Sequence, residues 1–598
     1  MSEPAAVPQE RTGEAVGERQ VAALVWRYVV ASSSIFLVAG ALGGVLRQSQ
    51  AHIVELRPGV WYQVMTAHGL AAFVGWAAFA LMGVSFWVLA ECDHPLGRRG
   101  FLLADLCWWS MVLGVCGVVV STLALNFGGS WVFLYPLPFH SVGQWDEFAT
   151  GAFAFSVLLC GISILAWCGA ILACVLRPTT HERGGTLIER LGYGLGFGLV
   201  SPRFQTRRAR VPFPVIPLTV IAIDMIVATI PFALLLIEMI VQSIDSTVSV
   251  DPLLAKNVLW WFGHPVVYLL LFPSVAIYYH LVPRYAGRPL VAGRAIVIAW
   301  LIAVTTNMVI GAHHVYLDYP SGSFQASINT ITEPLTLAIV TPSALSLYSL
   351  AMTIYRSEMQ WTVPMQFLFA GLVSWLVAGM QGVINAVISF DVVLHNTEWI
   401  VGHFHNMALL NMGLVIFASI DAFLPRLTGR EWYSDTLSKW HLWLTVIGGY
   451  GSVVPWMIQG IEGAPRRWAD LPGTRYDALT SWSLPFVALI AIGQLLFAYN
   501  LMRSLGLTWL RPRTAIPPDD VPVGLERERG RDALGGLIAG SGIGLSLVGL
   551  LVAPIELAVA GIVAGVVGLR LGSARTAAIT LSLGAACLLV GVFERILP

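Results

Sequence analysis

The most constraining feature of this sequence is a series of apolar segments, each long enough to cross a lipid bilayer. A membrane-spanning helix needs about 20 mostly apolar residues, and the chain of 598 residues holds many such segments, separated by short polar breaks. Only 11% of its residues are charged, against roughly 25% in soluble proteins. Lipid must therefore be the solvent for most of the chain. Because backbone groups in lipid need internal hydrogen bonds, we expect α-helices.

Hydropathy predicts an all-α integral membrane protein, a polytopic bundle of about 13–15 transmembrane helices. Twelve spans are expected near residues 25–47, 63–90, 101–125, 147–176, 214–243, 257–282, 295–312, 334–355, 365–388, 400–424, 440–460 and 483–504. Three further apolar segments follow a charged, proline-containing linker, at 534–552, 555–572 and 576–594. We therefore divide the chain into a tail (1–24), a core (25–504), a linker (505–532) and additional C-terminal helices (533–598).

The placement of basic residues predicts the orientation of these spans. With the N-terminus in the cytoplasm, twenty-five Lys and Arg residues fall on the inner side of the twelve spans and six on the outer side. Cytoplasmic loops of membrane proteins carry this excess. We therefore expect a multi-pass protein of the cell inner (plasma) membrane with a cytoplasmic N-terminus. No basic tract indicates binding of nucleic acid.

Histidines inside the predicted spans point to function, since ionisable residues in a bilayer are costly. Two of them, His403 and His405, stand in VGHFHNM. Residues two apart on a helix are rotated by about 200°, so these imidazoles face opposite sides and cannot chelate one metal. They can serve two haems, because neutral imidazole is a common axial ligand of haem iron.

A second group of histidines suits copper. His264 and Tyr268, in WWFGHPVVY, share one helix face a turn apart. His313 and His314 are adjacent at the end of the next span. Three imidazoles from neighbouring helices fit a copper ion with an open coordination position. Taken alone, a histidine pair at a helix end is more often a solvated interface.

His68, in MTAHGL at the start of the second span, is a candidate partner for His405. A six-coordinate haem needs a second axial ligand from another helix. The alternative is that His68 is a hydrogen-bonded core residue, as many lone intramembrane histidines are.

The motifs GHPVVY, GAHHVY and VGHFHN, in this order along the chain, resemble those of subunit I of the haem–copper oxidases, over roughly residues 25–504. The resemblance implies a terminal respiratory oxidase that reduces O₂ to water. It implies two haems, a low-spin one of b or a type and a high-spin one of a or b type, and one copper ion, copper B. By resemblance, the copper ligands are His264, His313 and His314, the high-spin haem ligand is His403, and the low-spin haem ligands are His68 and His405. Tyr268 would be cross-linked to His264 and would supply an electron and a proton during O–O cleavage.

The chain looks most like the B-type branch of this family. Val266 stands where A-type members carry the glutamate of GHPEVY, and no Asn/Asp-rich cytoplasmic motif is found. Protons would then travel by a K-type route alone. Its candidate residues are Tyr279, Ser343, Ser346 and Ser349. A tyrosine expected in that route is Val275 here, and the serines could instead bond to their own helix carbonyls.

A polar cap is expected on the outer side. The resemblance places Asp391, His395 and Asn396, in FDVVLHNTEW, near the haem propionates. Arg466 and Arg467 lie on an outer loop. Paired guanidiniums can bind carboxylates bidentately, although two solvated arginines are the alternative. We assign Asp318 to the same cap.

The resemblance also implies partners. Electrons would enter from the outer side through subunit II, which carries a dicopper centre that this chain lacks the cysteine pair and soluble domain to form. The donor would be cytochrome c, quinol or a similar carrier. A nitric oxide reductase of the same superfamily is the alternative, although those relatives replace the active-site tyrosine. A proton-coupled transporter that uses histidine relays is a further alternative from another class.

Overall fold

The computed structural model describes residues 17–132, 137–177, 186–201, 211–291, 293–315, 322–505 and 561–568, with positions 580, 581, 584 and 585, the side chains of 324–330 excepted. Within these residues the regular structure is helical, and the one pairing between extended segments is an isolated bridge from Thr397 to Pro465. The predicted linker from residue 506 onward and the predicted span 534–552 lie outside the described residues. The last two predicted spans are described only in part.

Twelve helices account for the predicted core. They are α1 Glu18–Gln50, α2 Pro58–Glu91, α3 Arg98–Ala124, α4 Glu147–Val175, α5 Val215–Ile244, α6 Pro252–Ala286, α7 Arg294–Thr306, α8 Ile331–Ile354, α9 Val363–Ala386, α10 Glu398–Thr428, α11 Asp435–Ile461 and α12 Asp477–Leu505. Each overlaps one predicted span. Among the described residues, ten are long and apolar enough to cross a membrane, all of these except α7 and α11. The prediction of a polytopic helical membrane protein is confirmed.

The outer surface of α5 shows why the bundle needs lipid. Large apolar side chains recur on it at alternating spacings of three and four residues, which places them on one helix face. They are exposed: Val227, Ile230, Leu234, Ile237, Val241 and Ile244. A soluble protein rarely exposes so continuous an apolar stripe, so this face is suited to contact acyl chains.

The seventh predicted span is not a continuous α-helix. The α-helix of α7 ends at Thr306, and a 3₁₀ helix, Ile310–Val315, follows. Gly311 lies where this segment crosses α6, and a Cβ atom there would be 2.5 Å from the carbonyl oxygen of Trp260. The tighter winding and the glycine let the backbone bearing His313 and His314 lie directly against α6.

Two helices change their winding next to candidate ligands. A π-helical segment, Ala71–Ala78, begins three residues after His68 in α2. Another, Asn406–Gly413, begins directly after His405 in α10. Such wide turns are frequent at functional sites. Here each segment begins within three residues after a candidate ligand.

A buried ion cluster joins the C-terminal ends of the helices that carry most of the candidate ligands. The carboxylate of Glu91, at the end of α2, accepts hydrogen bonds from Arg284 of α6 and from Arg426 of α10, the latter at 2.9 Å. Its Oε2 also lies 2.6 Å from Nε2 of His280 in α6. One carboxylate thus connects α2, α6 and α10.

Candidate functional site

Three imidazoles from two segments of the chain meet inside the bundle. Ligand atoms of His264, His313 and His314 all lie within 4.8 Å of one another. The closest contact joins Nδ1 of His264 to Nε2 of His314, at 3.1 Å. All three residues are buried or half-buried. Three neutral nitrogen donors at such distances can hold one copper ion and leave a coordination position open.

The local sequence explains how His264 reaches this cluster. His264 stands at a break in α6, between the helical segments Pro252–Gly263 and Pro265–Ala286. Pro265 has no backbone N–H and begins the second segment, as proline often does at the first position of a helix. On the other side, the ring of Trp260 stacks on His314, with centroids 3.9 Å apart. Sequence analysis did not single out Trp260, although the WW pair stood next to the histidine motif.

Tyr268 lies one turn along α6 from His264. The two ring centroids are 5.0 Å apart and the ring planes are inclined by 52°. The tyrosine is buried, and its other aromatic neighbour is Phe272. Its phenol group is therefore held beside the imidazole cluster in a dry environment.

His403 and His405 reach different neighbours, as opposite helix faces require. His403 is close enough to the cluster to interact electrostatically with His264 and His313. Its ring lies against Gly382 of α9, where a Cβ atom would be 3.4 Å from its Cε1. His405 instead faces His68. The helix bearing both histidines separates the imidazole cluster from a second candidate site.

His68 and His405 form that second site. Their ring planes differ by 10° and their centroids are 6.3 Å apart. Nδ1 of His68 lies 2.7 Å from the carbonyl of Ala39, and Nδ1 of His405 lies 2.8 Å from the carbonyl of Val401. These contacts occupy Nδ1 of each ring, so Nε2 is the nitrogen available to a metal. An imidazole nitrogen lies about 2 Å from its metal. A distance near 6 Å between the two ring centroids therefore leaves room for one haem iron between two axial ligands.

Further residues support this pair and were missed by sequence analysis. Gly43 of α1 lies against His68, and a Cβ atom there would be 2.6 Å from the histidine Cε1. Trp456 packs edge-on to His405, with centroids 4.9 Å apart, and Arg47 lies over the same indole. A glycine in an apolar helix gives no local signal of the ring that it accommodates.

The structure describes four of the five residues assigned to the outer cap besides Arg467, and brings two pairs of them into contact. Asp391 is buried, and its Oδ1 lies 3.0 Å from Nδ1 of His395. The backbone N–H of Arg466 donates to the carbonyl of Asn396, which ties the two outer loops together. Asn396 itself is exposed. Asp318 lies outside the described residues.

The two outer arginines suit carboxylate groups. Burial lowers the pKa of Arg466 to about 10 and that of Arg467 to about 9, so both guanidiniums stay charged at neutral pH. Within the described part of the chain, neither forms an ion pair shorter than 4 Å. Desolvated cations of this kind gain most from an added anion.

The predicted proton-route residues lie in α6 and α8, but direct hydrogen bonds between their side chains do not join all of them. The hydroxyls of Tyr279 and Ser346 are 2.7 Å apart and buried. Ser349 instead donates to the carbonyl of Val291. Ser343 is half-buried. Val275, which contributes no hydroxyl, lies on α6 between Tyr268 and Tyr279.

Comparison with known proteins identifies the family. Residues 23–496 match the family model described as Cytochrome C and Quinol oxidase polypeptide I. An alternative cytochrome c oxidase subunit 1 from Bradyrhizobium diazoefficiens is 30% identical over 43% of this chain and 43% of its own length. A cytochrome c oxidase polypeptide 1 from Halobacterium salinarum is 29% identical over 42% of each chain. These two alignments thus span less than half the length of the relatives.

Longer matches support the same grouping. Quinol oxidase subunit 1 from Bacillus subtilis is 23% identical over 80% of this chain and 70% of its own length. A haem–copper terminal oxidase dimer solved by cryo-electron microscopy shares the fold, with a TM-score of 0.68 and 17% identity over 97% of this chain and 100% of that one. Since the family model covers most of the sequence, this multi-pass plasma-membrane protein belongs to the family of haem–copper oxidase subunit I.

Proposed function

We propose that the chain is the catalytic subunit of a terminal respiratory oxidase that reduces O₂ to water. In this proposal, copper B is bound by His264, His313 and His314, and the high-spin haem by His403. The low-spin haem is bound by His68 and His405. The observation that carries the proposal is the cluster of three imidazoles, with a buried tyrosine ring one helical turn away and His403 within electrostatic reach.

The chain's own groups do three things in this scheme. The three imidazoles fix a metal and leave a position for a small ligand. The helix segment from His403 to His405 holds the two haem sites at a fixed separation. The haems and copper, when bound, supply the electron transfer and the chemistry on O₂, and the protein supplies placement and control of protons.

Tyr268 favours O₂ over NO as the substrate. A phenol beside a copper-bound imidazole can give both a proton and an electron to a breaking O–O bond. Its buried position keeps it from exchanging that proton freely with water. A nitric oxide reductase has no such bond to cleave, and relatives with that activity replace the tyrosine.

Electrons and protons would arrive from opposite sides. Subunit II with a dicopper centre would deliver electrons at the outer side, from cytochrome c or a quinol, and the names of the relatives include both kinds of oxidase. Val266, in place of a glutamate, favours the B-type branch. The Tyr279–Ser346 pair would then carry protons from the cytoplasmic side.

The test is turnover with O₂ and with NO by the purified complex, with haem and copper contents measured. Tyr268→Phe keeps the ring and deletes the hydroxyl, so haem and copper should stay while O₂ reduction falls. Acid–base groups contribute about 10²–10⁴-fold, and we expect a loss in that range. The matched control is Tyr278→Phe in the same helix, whose hydroxyl donates to Asn411 at 3.2 Å.

The control should keep most of its turnover. Near-normal O₂ reduction by a metal-replete Tyr268→Phe variant would overturn the proposed role of the tyrosine. Turnover with NO and none with O₂ in the unaltered protein would instead establish the reductase.

A further inference from the structure

A carboxyl group that the proposed function does not use lies inside the bundle. Asp224 is the tenth residue of α5, about 13 Å along the helix from its cytoplasmic end. Its relative exposure is 0%. An ionised carboxylate at that depth is costly and needs a partner of opposite charge.

Within the described residues, no such charge is found, and no Lys, Arg or His forms an ion pair with Asp224. The titratable neighbour with which it interacts electrostatically is the thiol of Cys168 in α4. A cation therefore does not balance this carboxyl.

Its partner is an amide. Nδ2 of Asn307 donates to Oδ2 of Asp224 at 2.8 Å, and the amide, like the carboxyl, has a relative exposure of 0%. This leaves two buried oxygens without a hydrogen-bond partner, Oδ1 of Asp224 and Oδ1 of Asn307. A carboxylate oxygen and an amide oxygen are both acceptors, so they cannot satisfy each other while Asp224 is ionised.

A single proton gives both of these oxygens a hydrogen-bond partner. We propose that Asp224 is held in its neutral, protonated form and donates its O–H to Oδ1 of Asn307, which closes a two-bond acid–amide pair between α5 and α7. Each bond then joins one donor to one acceptor, and no charge is left in the bilayer. Leaving the same groups unpaired would cost the full desolvation penalty of each.

The position of Asn307 gives this pair a role. Asn307 directly follows the last residue of α7 and precedes the 3₁₀ segment Ile310–Val315, which carries His313 and His314. The acid–amide pair thus anchors the base of that segment to α5. On the proposed function, Asp224 is a positioning residue whose proton holds two of the copper ligands in place.

Infrared difference spectroscopy of the intact complex tests the proton. The unaltered protein should show a carbonyl band of a protonated carboxylic acid that is absent in Asp224→Asn. The band should shift when carbon monoxide is photolysed from the reduced metal site, because the anchored segment carries its ligands. A purely structural residue would give no such shift. Asp245→Asn, an exposed carboxyl at the end of the same helix, is the control and should leave the band unchanged.

Copper content tests the anchoring. Asn at position 224 can form the same two bonds to Asn307, so Asp224→Asn should retain copper within about twofold. Asp224→Val removes both bonds, and since residues behind metal ligands typically contribute 10–100-fold in affinity, we expect about a tenfold weaker retention. A spectrum without a band that depends on Asp224 would overturn the protonation. Equal copper retention in both variants would overturn the anchoring.

These outcomes are distinguishable from failure of the proposed function. If the unaltered complex held no copper, the proposed metal site would be wrong. The infrared band would still report whether Asp224 carries a proton.

Discussion

The imidazole rings of His68 and His405 lie within 10° of parallel, with centroids 6.3 Å apart, although they come from α2 and α10. Each ring is also fixed by a contact between its Nδ1 and a backbone carbonyl, from α1 for His68 and from its own helix for His405. Such fixed orientation is typical of histidines that ligate metals. The fixed and nearly parallel rings therefore support the proposed low-spin haem site.

Removing one of these rings should remove the low-spin haem. We expect His405→Ala to lose the six-coordinate signal while part of the high-spin signal remains, because His403 faces the other side of α10. A visible spectrum and a pyridine haemochrome assay measure this. His441→Ala is the control, since that buried histidine interacts with Gln494 instead. A normal six-coordinate spectrum in His405→Ala would show that the ligand assignment is wrong.

Substitution of Gly43 should lower haem binding as substitution of a ligand does, because this glycine leaves room for the ring of His68. A methyl group at this position would meet Cε1 of His68 at 2.6 Å, so the ring would have to shift away from His405. We expect Gly43→Ala to lower low-spin haem content. Gly40→Ala and Gly44→Ala are matched controls on the same helix, since a Cβ atom there would have no neighbour within 4 Å. Equal haem content in all three variants would contradict the packing argument.

Each of the three clustered histidines should be needed for copper. Replacing His264, His313 or His314 by alanine removes one donor from a set that lies within 4.8 Å. We expect copper content to fall while both haems stay bound. Metal analysis by mass spectrometry alongside the haemochrome assay checks this, and undiminished copper in all three variants would refute the site.

Replacing Ser346 and replacing Ser349 should slow reduction of the metal pocket to different degrees. Both hydroxyls donate to a backbone carbonyl, that of Pro342 for Ser346 and that of Val291 for Ser349, but Ser346 also lies 2.7 Å from the hydroxyl of Tyr279. Ser346→Ala should therefore slow reduction of the metal pocket without changing its spectrum, and Ser349→Ala should have a smaller effect. Stopped-flow reduction kinetics compare the two. An equal slowing would mean that the Tyr279–Ser346 contact is not the step that matters.

The Glu91 cluster should matter for stability. Removing one partner of a buried ion pair typically costs about 3–5 kcal/mol, and Glu91→Gln leaves two arginines without their carboxylate. We expect thermal loss of the haem absorption at a lower temperature than in the unaltered protein. The exposed Glu358→Gln variant serves as the control. Unchanged thermal stability in Glu91→Gln would show that the cluster contributes nothing to the fold.

Hydropathy predicted the helices of the core because it reports the solvent of each segment. All twelve predicted spans overlap helices, and the regular spacing of apolar residues on α5 is visible in the sequence itself. The change to 3₁₀ winding at Ile310 and the π-helical segment after His405 could not be seen in this way. α, 3₁₀ and π turns have the same residue preferences to first order, and the contacts that choose among them come from other helices.

In the candidate site, too, the sequence predicted what depends on one segment and did not predict what depends on packing between segments. Spacing within one motif predicted that His403 and His405 face opposite sides, since that depends only on helix geometry. The contacts of Gly43 with His68 and of Trp260 with His314 depend on how separate segments pack. Asp224 did carry a signal, as one of two carboxyl residues in the predicted span 214–243, but its partner Asn307 comes from another helix.

The placement of His403 and His405 on one turn of α10 also governs how thermal motion affects electron flow. Any tilt or shift of this helix carries both histidines with it, so in the proposed assignment the two haem sites move together and not against each other. The rate of electron tunnelling depends steeply on the distance between donor and acceptor. In the proposed assignment, this shared three-residue segment of backbone would make that rate less sensitive to motions of the surrounding helices.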